Sequence, residues 1–187
     1  LLHRSTLSVF SSVYAFARKA GSRVARVWPS VLKELDLALA LLPLVRADLA
    51  APVALVLLHT DASDTGAAAV YTHMVPHDEL RRECMQPRTL PRGDSTPWTV
   101  EGALAAGFAT PTQPEAWRVA FRMGMSADVH INNKEASAVV TAVRWAARGR
   151  LGRAGCRLVV QTDSAVTVGA FRKGRSSKPG LLRQCRR

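Results

Sequence analysis

The chain of 187 residues is long enough for one domain with a helical extension, and its 48% apolar content is enough to build a buried core. Its 26 lysines and arginines against 14 aspartates and glutamates give a net charge of +12. Such a charge favours a polyanionic partner, with nucleic acid ahead of an anionic membrane surface. The most apolar region, 35–58, is interrupted by charged residues and a proline. It therefore falls short of the ~20 apolar residues that a membrane helix needs, and no membrane partner is expected.

The cysteines exclude a disulfide framework and a zinc site built on cysteine. Cys84, Cys156 and Cys185 are far apart, odd in number and without the spacing of metal ligands. No secretory signal peptide is visible. We expect free thiols in a reducing, intracellular compartment, either cytoplasm or nucleus.

Residues 1–50 predict a helical segment. A first helix spans Ser5–Ala20, capped by Ser5 or Thr6, and a second begins at Trp28-Pro29 and ends at Pro43. The apolar stripe predicted for the second helix consists of Val31, Leu32, Leu35, Leu39 and Leu42. Neither helix carries a cluster of polar residues suited to chemistry, so we interpret the segment as a packing or connecting element.

A predicted domain over residues 51–187 begins with the stretch PVALVLLHTDAS at 52–63. This continuous apolar run predicts a strand buried on both faces. A turn at Asp64-Thr65-Gly66 leads into a second, antiparallel strand over Ala67–Thr72. From His73 to Asp128 the pattern is weak: Pro87–Pro97 is typical of a loop, and the third strand is either 103–110 or 117–123.

The strongest helical pattern begins at His130. Apolar residues recur at 3, 4, 7 and 11 residues and predict one buried face, formed by Ala136, Val139, Val140, Val143 and Ala147. A strand over Arg157–Thr162, a short helix over 164–171 and a basic loop over 173–180 follow. A hairpin followed by a helical crossover predicts an α/β fold, with a mixed sheet and helices on its faces.

Three acidic residues occupy positions where such a sheet gathers side chains. Asp61 and Asp163 each follow an apolar strand, and Glu135 lies in the first turn of the crossover helix. If the two strands are neighbours, ~4.8 Å apart, the three carboxylates come within reach of one another. Clustered carboxylates require a cation, and ligands that are all oxygen favour Mg²⁺ or Mn²⁺ over zinc. Two such ions would hold a phosphodiester and activate water.

Each acidic residue also has a purely structural interpretation. Asp61 can belong to a turn, Asp163 can cap the helix that follows it, and Glu135 can close a capping box with Asn132. The catalytic hypothesis depends on the combination of the three. His130 has two interpretations, a helix cap or a contact with substrate.

The segments TDAS at 60–63, HINNKEASAVVTAVRWAAR at 130–148 and QTDSAVTVGAFRKG at 161–174 resemble the ribonuclease H-like domain of retroelement reverse transcriptases. The resemblance is closest to DIRS and Ty3/gypsy-like polyproteins and covers roughly 52–187. The upstream helices are similar to the segment that links polymerase to nuclease in those proteins.

The resemblance implies a five-stranded mixed sheet in which the first acid ends strand one, the glutamate lies on the first helix and the second aspartate ends strand four. It implies that Asp61, Glu135 and Asp163 are catalytic and bind two Mg²⁺ ions, and that the domain hydrolyses the RNA strand of an RNA–DNA hybrid. The family has a fourth acid after a fifth strand, whereas no acid follows Asp163 here. This departure implies a domain that is incomplete at its C-terminus and an activity open to question.

The basic loop is a second candidate functional region. Its residues Lys173, Arg175, Ser176 and Lys178 are candidate phosphate contacts, with a mobile solvated loop as the alternative. Three hypotheses for function stay open at this point. They are a metal-dependent endonuclease acting on RNA–DNA hybrids, an inactive ribonuclease H-like relic that binds nucleic acid, and a related enzyme that cuts or joins DNA.

Overall fold

The computed structural model describes residues 8–45, 48, 50–85, 111–149 and 155–186. The chain divides into two compact units, Leu1–Asp48 with Gly169–Arg187, and Leu49–Val168. The second unit contains Asp61, Glu135 and Asp163. The sequence-based division into residues 1–50 and 51–187 stays a prediction.

The first unit is helical. It contains α1 (Ser11–Ala20), α2 (Pro29–Leu41), a 3₁₀ turn at Leu42–Leu44, and a short C-terminal helix that follows Lys178. The predicted caps Ser5 and Thr6 lie outside the described residues. Instead, α1 is capped from α2: the Glu34 carboxylate accepts hydrogen bonds from the backbone N–H groups of Ser12 and Val13, at 2.8 and 2.9 Å.

The apolar stripe predicted for α2 is largely solvent-exposed in this structure. Val31 is buried, while the other four members are exposed: Leu32, Leu35, Leu39 and Leu42. The spacing of leucines therefore identified the helix correctly but not its buried face, because burial depends on which neighbours the tertiary structure supplies.

The second unit is built on a four-stranded sheet with the order β3-β2-β1-β4. Strand β1 (Val53–Ala62) pairs antiparallel with β2 (Gly66–Thr72) and parallel with β4 (Arg157–Thr162). Strand β3 (Arg118–Gly124) pairs antiparallel with β2. The strand over 117–123 is thus the correct one of the two predicted alternatives, while 103–110 and the loop at 87–97 lie outside the described residues.

Helices cover both faces of the sheet. On one face, Leu57 of β1 packs with Leu80 of α3 (His77–Met85) and with Val159 of β4. On the other, Leu58 packs with Ala142 of α4 (Ile131–Arg148). Since the consecutive residues Leu57 and Leu58 enter opposite cores, the middle of β1 must be apolar on both faces, as its sequence predicted. The polar helix α3 was not predicted.

After β4 the chain forms α5 (Ala165–Lys173) and α6 (Pro179–Cys185). The prediction of an α/β fold with a mixed sheet and helices on its faces is confirmed. No helix among the described residues combines the length and apolar character required to cross a membrane.

Candidate metal centre

Asp61 lies within β1, near its end. Its backbone is paired with Ala68 of β2, and the preceding residue, Thr60, is paired with Thr162 of β4. The turn that follows the strand is closed instead by Ser63, whose N–H donates to the Gly66 carbonyl at 2.8 Å. Asp61 is therefore a strand residue with an exposed side chain, and the interpretation of it as part of the turn is wrong.

Asp163 comes directly after β4 and has an exposed side chain. The helix α5 is capped by its neighbour: the Thr167 N–H donates to the Ser164 hydroxyl at 3.3 Å, and the two hydroxyls of Ser164 and Thr167 are 2.9 Å apart. Because a serine hydroxyl satisfies this end of the helix, Asp163 is not its N-cap. Parallel pairing of β1 with β4 brings the ends of both strands to the same edge of the sheet.

Glu135 is buried at the start of α4, with 6% of its surface exposed. It is in phase with Ala138, Ala142 and Ala146, which are buried against the sheet at spacings of 3, 4 and 4 residues. The buried face is thus rotated from the predicted one, since Val143 is 45% exposed. Alanines allow the helix to approach the sheet closely, and this face carries Glu135 toward the end of the strands.

The N-terminus of α4 is capped by His130, whose Nδ1 accepts a hydrogen bond from the N–H of Asn132 at 3.2 Å. Of the two interpretations of His130, the structure therefore shows the cap. The capping-box interpretation of Glu135 is wrong, because Glu135 is not at the third helical position from this cap. All three acidic side chains are left without the structural roles considered for them.

The three carboxylates converge. One oxygen from each of Asp61, Glu135 and Asp163 lies within 4.8 Å of the others. The Thr162 hydroxyl donates to Oε2 of Glu135 at 3.4 Å, and the backbone of Ala62 also hydrogen-bonds this carboxylate. These partners hold Glu135 beside two exposed acids of adjacent strands.

The pKa of Glu135 is raised above its ordinary value. Burial is the largest cause, followed by the charges of Asp163 and Asp61, and the hydrogen bonds from Ala62 and Thr162 oppose the shift only in part. A negative charge at this position is therefore unfavourable in the free protein. A cation shared by the three carboxylates would remove this penalty.

Lys134 connects α4 to the turn after β1. Its side chain is 1% exposed, and its Nζ donates a hydrogen bond to the backbone carbonyl of Asp64. Because Lys134 precedes Glu135 and Asp64 follows Asp61 by three residues, this bond fixes the helix start against the strand end. The sequence analysis missed Lys134, because the partner that accounts for its burial, the Asp64 carbonyl, lies 70 residues away in the sequence.

A cleft of about 380 Å³ opens beside Asp61. Its walls include the turn residues Ser63 and Gly66, the backbone of β2, and Arg122 of β3. Small residues dominate this part of β2, so the cleft is shallow and a ligand can approach the backbone closely.

The four predicted basic-loop residues lie outside the unit that holds the carboxylates. The Arg175 guanidinium stacks over the Tyr14 ring at 4.0 Å, and the Ser176 hydroxyl accepts from the N–H of Lys178 at 3.2 Å. Lys173 and Lys178 are exposed. Both contacts lie within the helical unit, and the role of the four residues in binding nucleic acid stays a prediction.

The geometry is that of a site able to hold a metal ion through oxygen ligands supplied by two strands and one helix. Thr162, which orients Glu135, was also missed from the sequence, although it stands next to Asp163.

Comparisons of the chain with protein-family models, with curated proteins and with solved structures find no match in any of the three.

Proposed function

We propose that residues 49–168 contain a metal-dependent nuclease centre that hydrolyses the RNA strand of RNA–DNA hybrids, as in the ribonuclease H-like domains of retroelement reverse transcriptases that the sequence resembles. The observation that carries the proposal is the convergence of Asp61, Glu135 and Asp163 within 4.8 Å. A mixed sheet whose first and last described strands in the sequence are parallel neighbours is compatible with that fold.

The donor set favours Mg²⁺ or Mn²⁺. All three groups are carboxylates, and no histidine or cysteine belongs to the cluster found among the described residues. Hard oxygen ligands suit Mg²⁺ and Mn²⁺, whereas zinc in proteins prefers nitrogen and sulfur. The raised pKa of Glu135 fits as well, because a divalent charge is what the three crowded carboxylates lack.

Each residue has a distinct part in this centre. Asp61 and Asp163 are exposed and therefore accessible to a substrate, whereas Glu135 is buried and held by Thr162. When bound, the metal polarises the phosphate and lowers the pKa of water, which supplies the nucleophile for hydrolysis. The chain's own contribution is to fix three negative oxygens in one place and to exclude solvent from Glu135.

The charge of the chain supports a nucleic-acid substrate. A net charge of +12 attracts a phosphate backbone by a mechanism that does not depend on sequence. A net charge of this size suits a polymeric polyanion better than a small anionic ester.

The test is cleavage of a labelled RNA–DNA hybrid by the full chain in Mg²⁺, compared with Asp61→Asn and Asp64→Asn. Both variants change one exposed aspartate in the same way, and they lie three residues apart. We expect Asp61→Asn to abolish cleavage and Asp64→Asn to retain it, because only Asp61 belongs to the carboxylate cluster.

The other outcomes separate the alternatives. Binding of the hybrid without cleavage by the wild-type chain contradicts the enzyme hypothesis and favours an inactive nucleic-acid-binding relic. Equal cutting of duplex DNA and of the hybrid contradicts selectivity for RNA, since the 2′-hydroxyl is what distinguishes the two strands. Cleavage that survives in Asp61→Asn contradicts the assignment of the site.

A further inference from the structure

Among the residues that the structure describes, one cationic side chain lines the cleft beside Asp61, that of Arg122. The pairing of β1 with β2 sets Asp61 opposite Ala68, and the pairing of β2 with β3 sets Ala68 opposite Arg122. Residues directly opposite one another in antiparallel strands project from the same face of the sheet. Asp61, Ala68 and Arg122 thus form one row across three strands.

The neighbouring row shows which way this one faces. Thr60, Ala69 and Phe121 form it, and Ala69 and Phe121 belong to the core packed against α4. Because adjacent rows project to opposite faces, the row of Asp61 and Arg122 leaves the sheet on the side away from that core, although near the end of β1 the Asp61 carboxylate still lies within reach of Glu135 on α4. It lines the cleft, and Arg122 is exposed there.

A β-bulge sets this register. The pairing of β2 with β3 shifts between Ala69 and Val70, so that Ala120 is an extra residue on β3. A shift of one residue exchanges the two faces of a strand, so the bulge decides that Arg122 rather than Phe121 shares the row of Asp61. Bulges are frequent beside active sites, where they redirect a side chain.

Small residues line the bottom of the cleft, so no large side chain projects from the described part of it. Gly66 lies opposite Gly124, and a Cβ on Gly66 would come within 2.8 Å of the Met123 carbonyl oxygen. A side chain is therefore excluded at Gly66, and Ala68 contributes only a methyl group between Asp61 and Arg122. The described side chains of this row therefore leave room for an extended chain of phosphates.

The separation suits neighbouring phosphates of one strand. Two inter-strand spacings place the backbones of Asp61 and Arg122 roughly 10 Å apart, and the arginine side chain shortens that gap. Among the described residues, no hydrogen bond or ion pair occupies the Arg122 guanidinium. A planar guanidinium binds phosphate through two parallel hydrogen bonds.

We propose that Arg122 binds a non-scissile phosphate of the nucleic-acid strand whose reacting phosphodiester lies at Asp61, Glu135 and Asp163. This inference rests on the proposed nuclease function and adds a substrate-binding residue to it. The contact fixes the register of the strand, and it offsets the repulsion between three carboxylates and a polyanion.

The experiment measures binding rather than cleavage, so that it is independent of turnover. Binding of a fluorescent RNA–DNA hybrid is followed by anisotropy in Ca²⁺ for the wild type, Arg122→Met and Arg118→Met. Arg118 is a matched control, because it is an exposed arginine on the same strand and its loss changes the net charge equally. Four residues of strand separate it from Arg122 by at most about 13 Å.

A second set of hybrids locates the contact. Each carries one neutral methylphosphonate in place of a phosphate, moved along either strand. At one position we expect the methylphosphonate to weaken wild-type binding about tenfold, because it removes the charge that pairs with Arg122. The same methylphosphonate should not change binding by Arg122→Met, since this variant has already lost that pair. Arg118→Met should keep the wild-type profile. The slope of the logarithm of the binding constant against the logarithm of the salt concentration should become shallower by about 0.9, the value for one phosphate contact, in Arg122→Met alone.

Identical methylphosphonate profiles for Arg122→Met and the wild type overturn the inference, as does failure of the wild type to bind the hybrid at all. A position-specific loss in Arg122→Met without any cleavage by the wild type supports the phosphate contact and contradicts only the nuclease function. Circular dichroism of both variants confirms that the exposed substitutions leave the fold intact.

Discussion

Two glutamates in different units of this protein have opposite surroundings. The Glu34 carboxylate on α2 accepts hydrogen bonds from the Ser11 hydroxyl and from the N–H groups of Ser12 and Val13, at 2.9, 2.8 and 2.9 Å. The Glu135 carboxylate on α4 instead faces the carboxylates of two aspartates. The first glutamate meets the positive end of a helix, and the second meets like charges.

The pKa shifts follow from these surroundings. Burial acts to raise the pKa of Glu34, but the hydrogen bonds from Ser12, Val13 and Ser11 outweigh it and lower the pKa below its ordinary value. At Glu135 burial and two negative neighbours raise the pKa. A carboxylate satisfied by donors is a structural element, whereas one surrounded by like charges requires a cation, and this difference is what identifies the candidate site.

The largest expected effect is on metal binding. Glu135→Gln should weaken Mn²⁺ binding and hybrid cleavage at least about 100-fold, more than the loss of groups that only support a ligand usually costs. Glu34→Gln, the same chemical change in the other unit, should leave both within about twofold. Isothermal titration with Mn²⁺ measures the affinity without requiring turnover.

Equal metal affinity in the two variants would break the comparison. It would mean that Glu135 is a buried structural carboxylate like Glu34, and that the two exposed aspartates alone attract the ion. A loss of cleavage in Glu135→Gln with unchanged Mn²⁺ binding would instead mean that Glu135 acts in a step other than metal binding.

A second prediction concerns the stability of the metal-free protein, on which replacement of the two glutamates should have opposite effects. A lowered pKa contributes stability above the ordinary value, which is lost as the pH falls through the folded pKa. Glu34→Gln should therefore be less stable than the wild type at pH 7, by about 1 kcal/mol for a helix cap, with the difference disappearing in acid. Thermal melts in EDTA from about pH 3 to 8 would measure it.

For Glu135 the sign is reversed. Its raised pKa means that the folded state binds the proton more tightly, so stability falls as the pH rises from the ordinary value, 4.5, through the folded pKa. Glu135→Gln should be more stable than the metal-free wild type at pH 7 and equal to it below pH 4.5. Saturating Mg²⁺ should stabilise the wild type and not the variant, since only a folded state that binds the ion is favoured by mass action. Matching signs for the two glutamates would contradict the assignment.

The sequence predicted best the elements that are buried on two sides. Strand β1 and the strand before Asp163 were predicted correctly because both of their faces pack against apolar neighbours. In β1, Leu57 and Leu58 belong to separate cores. The positions of the three acids at strand ends and at a helix start followed from this. Local pattern and tertiary burial agree in these elements, so the pattern alone was sufficient.

The features that the sequence predicted ambiguously or not at all are those whose burial depends on distant partners. In helix α3 only Leu80 is buried, so its sequence carries almost no apolar periodicity. Strand β3 lies at one end of the described sheet and contains a bulge, which breaks the alternation that identifies a strand. The buried Lys134 is stabilised by the Asp64 carbonyl 70 residues away, and no local pattern contains that distance.

The smallest expected effect tests the helix that carries Glu135 without touching a carboxylate. The N-terminus of α4 is capped through one hydrogen bond by His130, whereas α1 is capped by a carboxylate through three hydrogen bonds. His130→Ala should cost about 0.5–1 kcal/mol of stability, and His130→Asn, which can accept the same hydrogen bond, should recover most of it. We expect cleavage to change by less than about threefold in either variant, because Lys134 still ties the first turn of α4 to the Asp64 carbonyl.

Urea denaturation measures the stability, and hybrid cleavage at saturating Mg²⁺ measures the function. A large loss of cleavage in both His130 variants, with stability unchanged in His130→Asn, would contradict a purely structural role for this residue. It would assign His130 a contact with the substrate, the second of the two interpretations that its sequence position allows. Recovery of both properties in His130→Asn would instead show that the imidazole acts only through the N–H of Asn132.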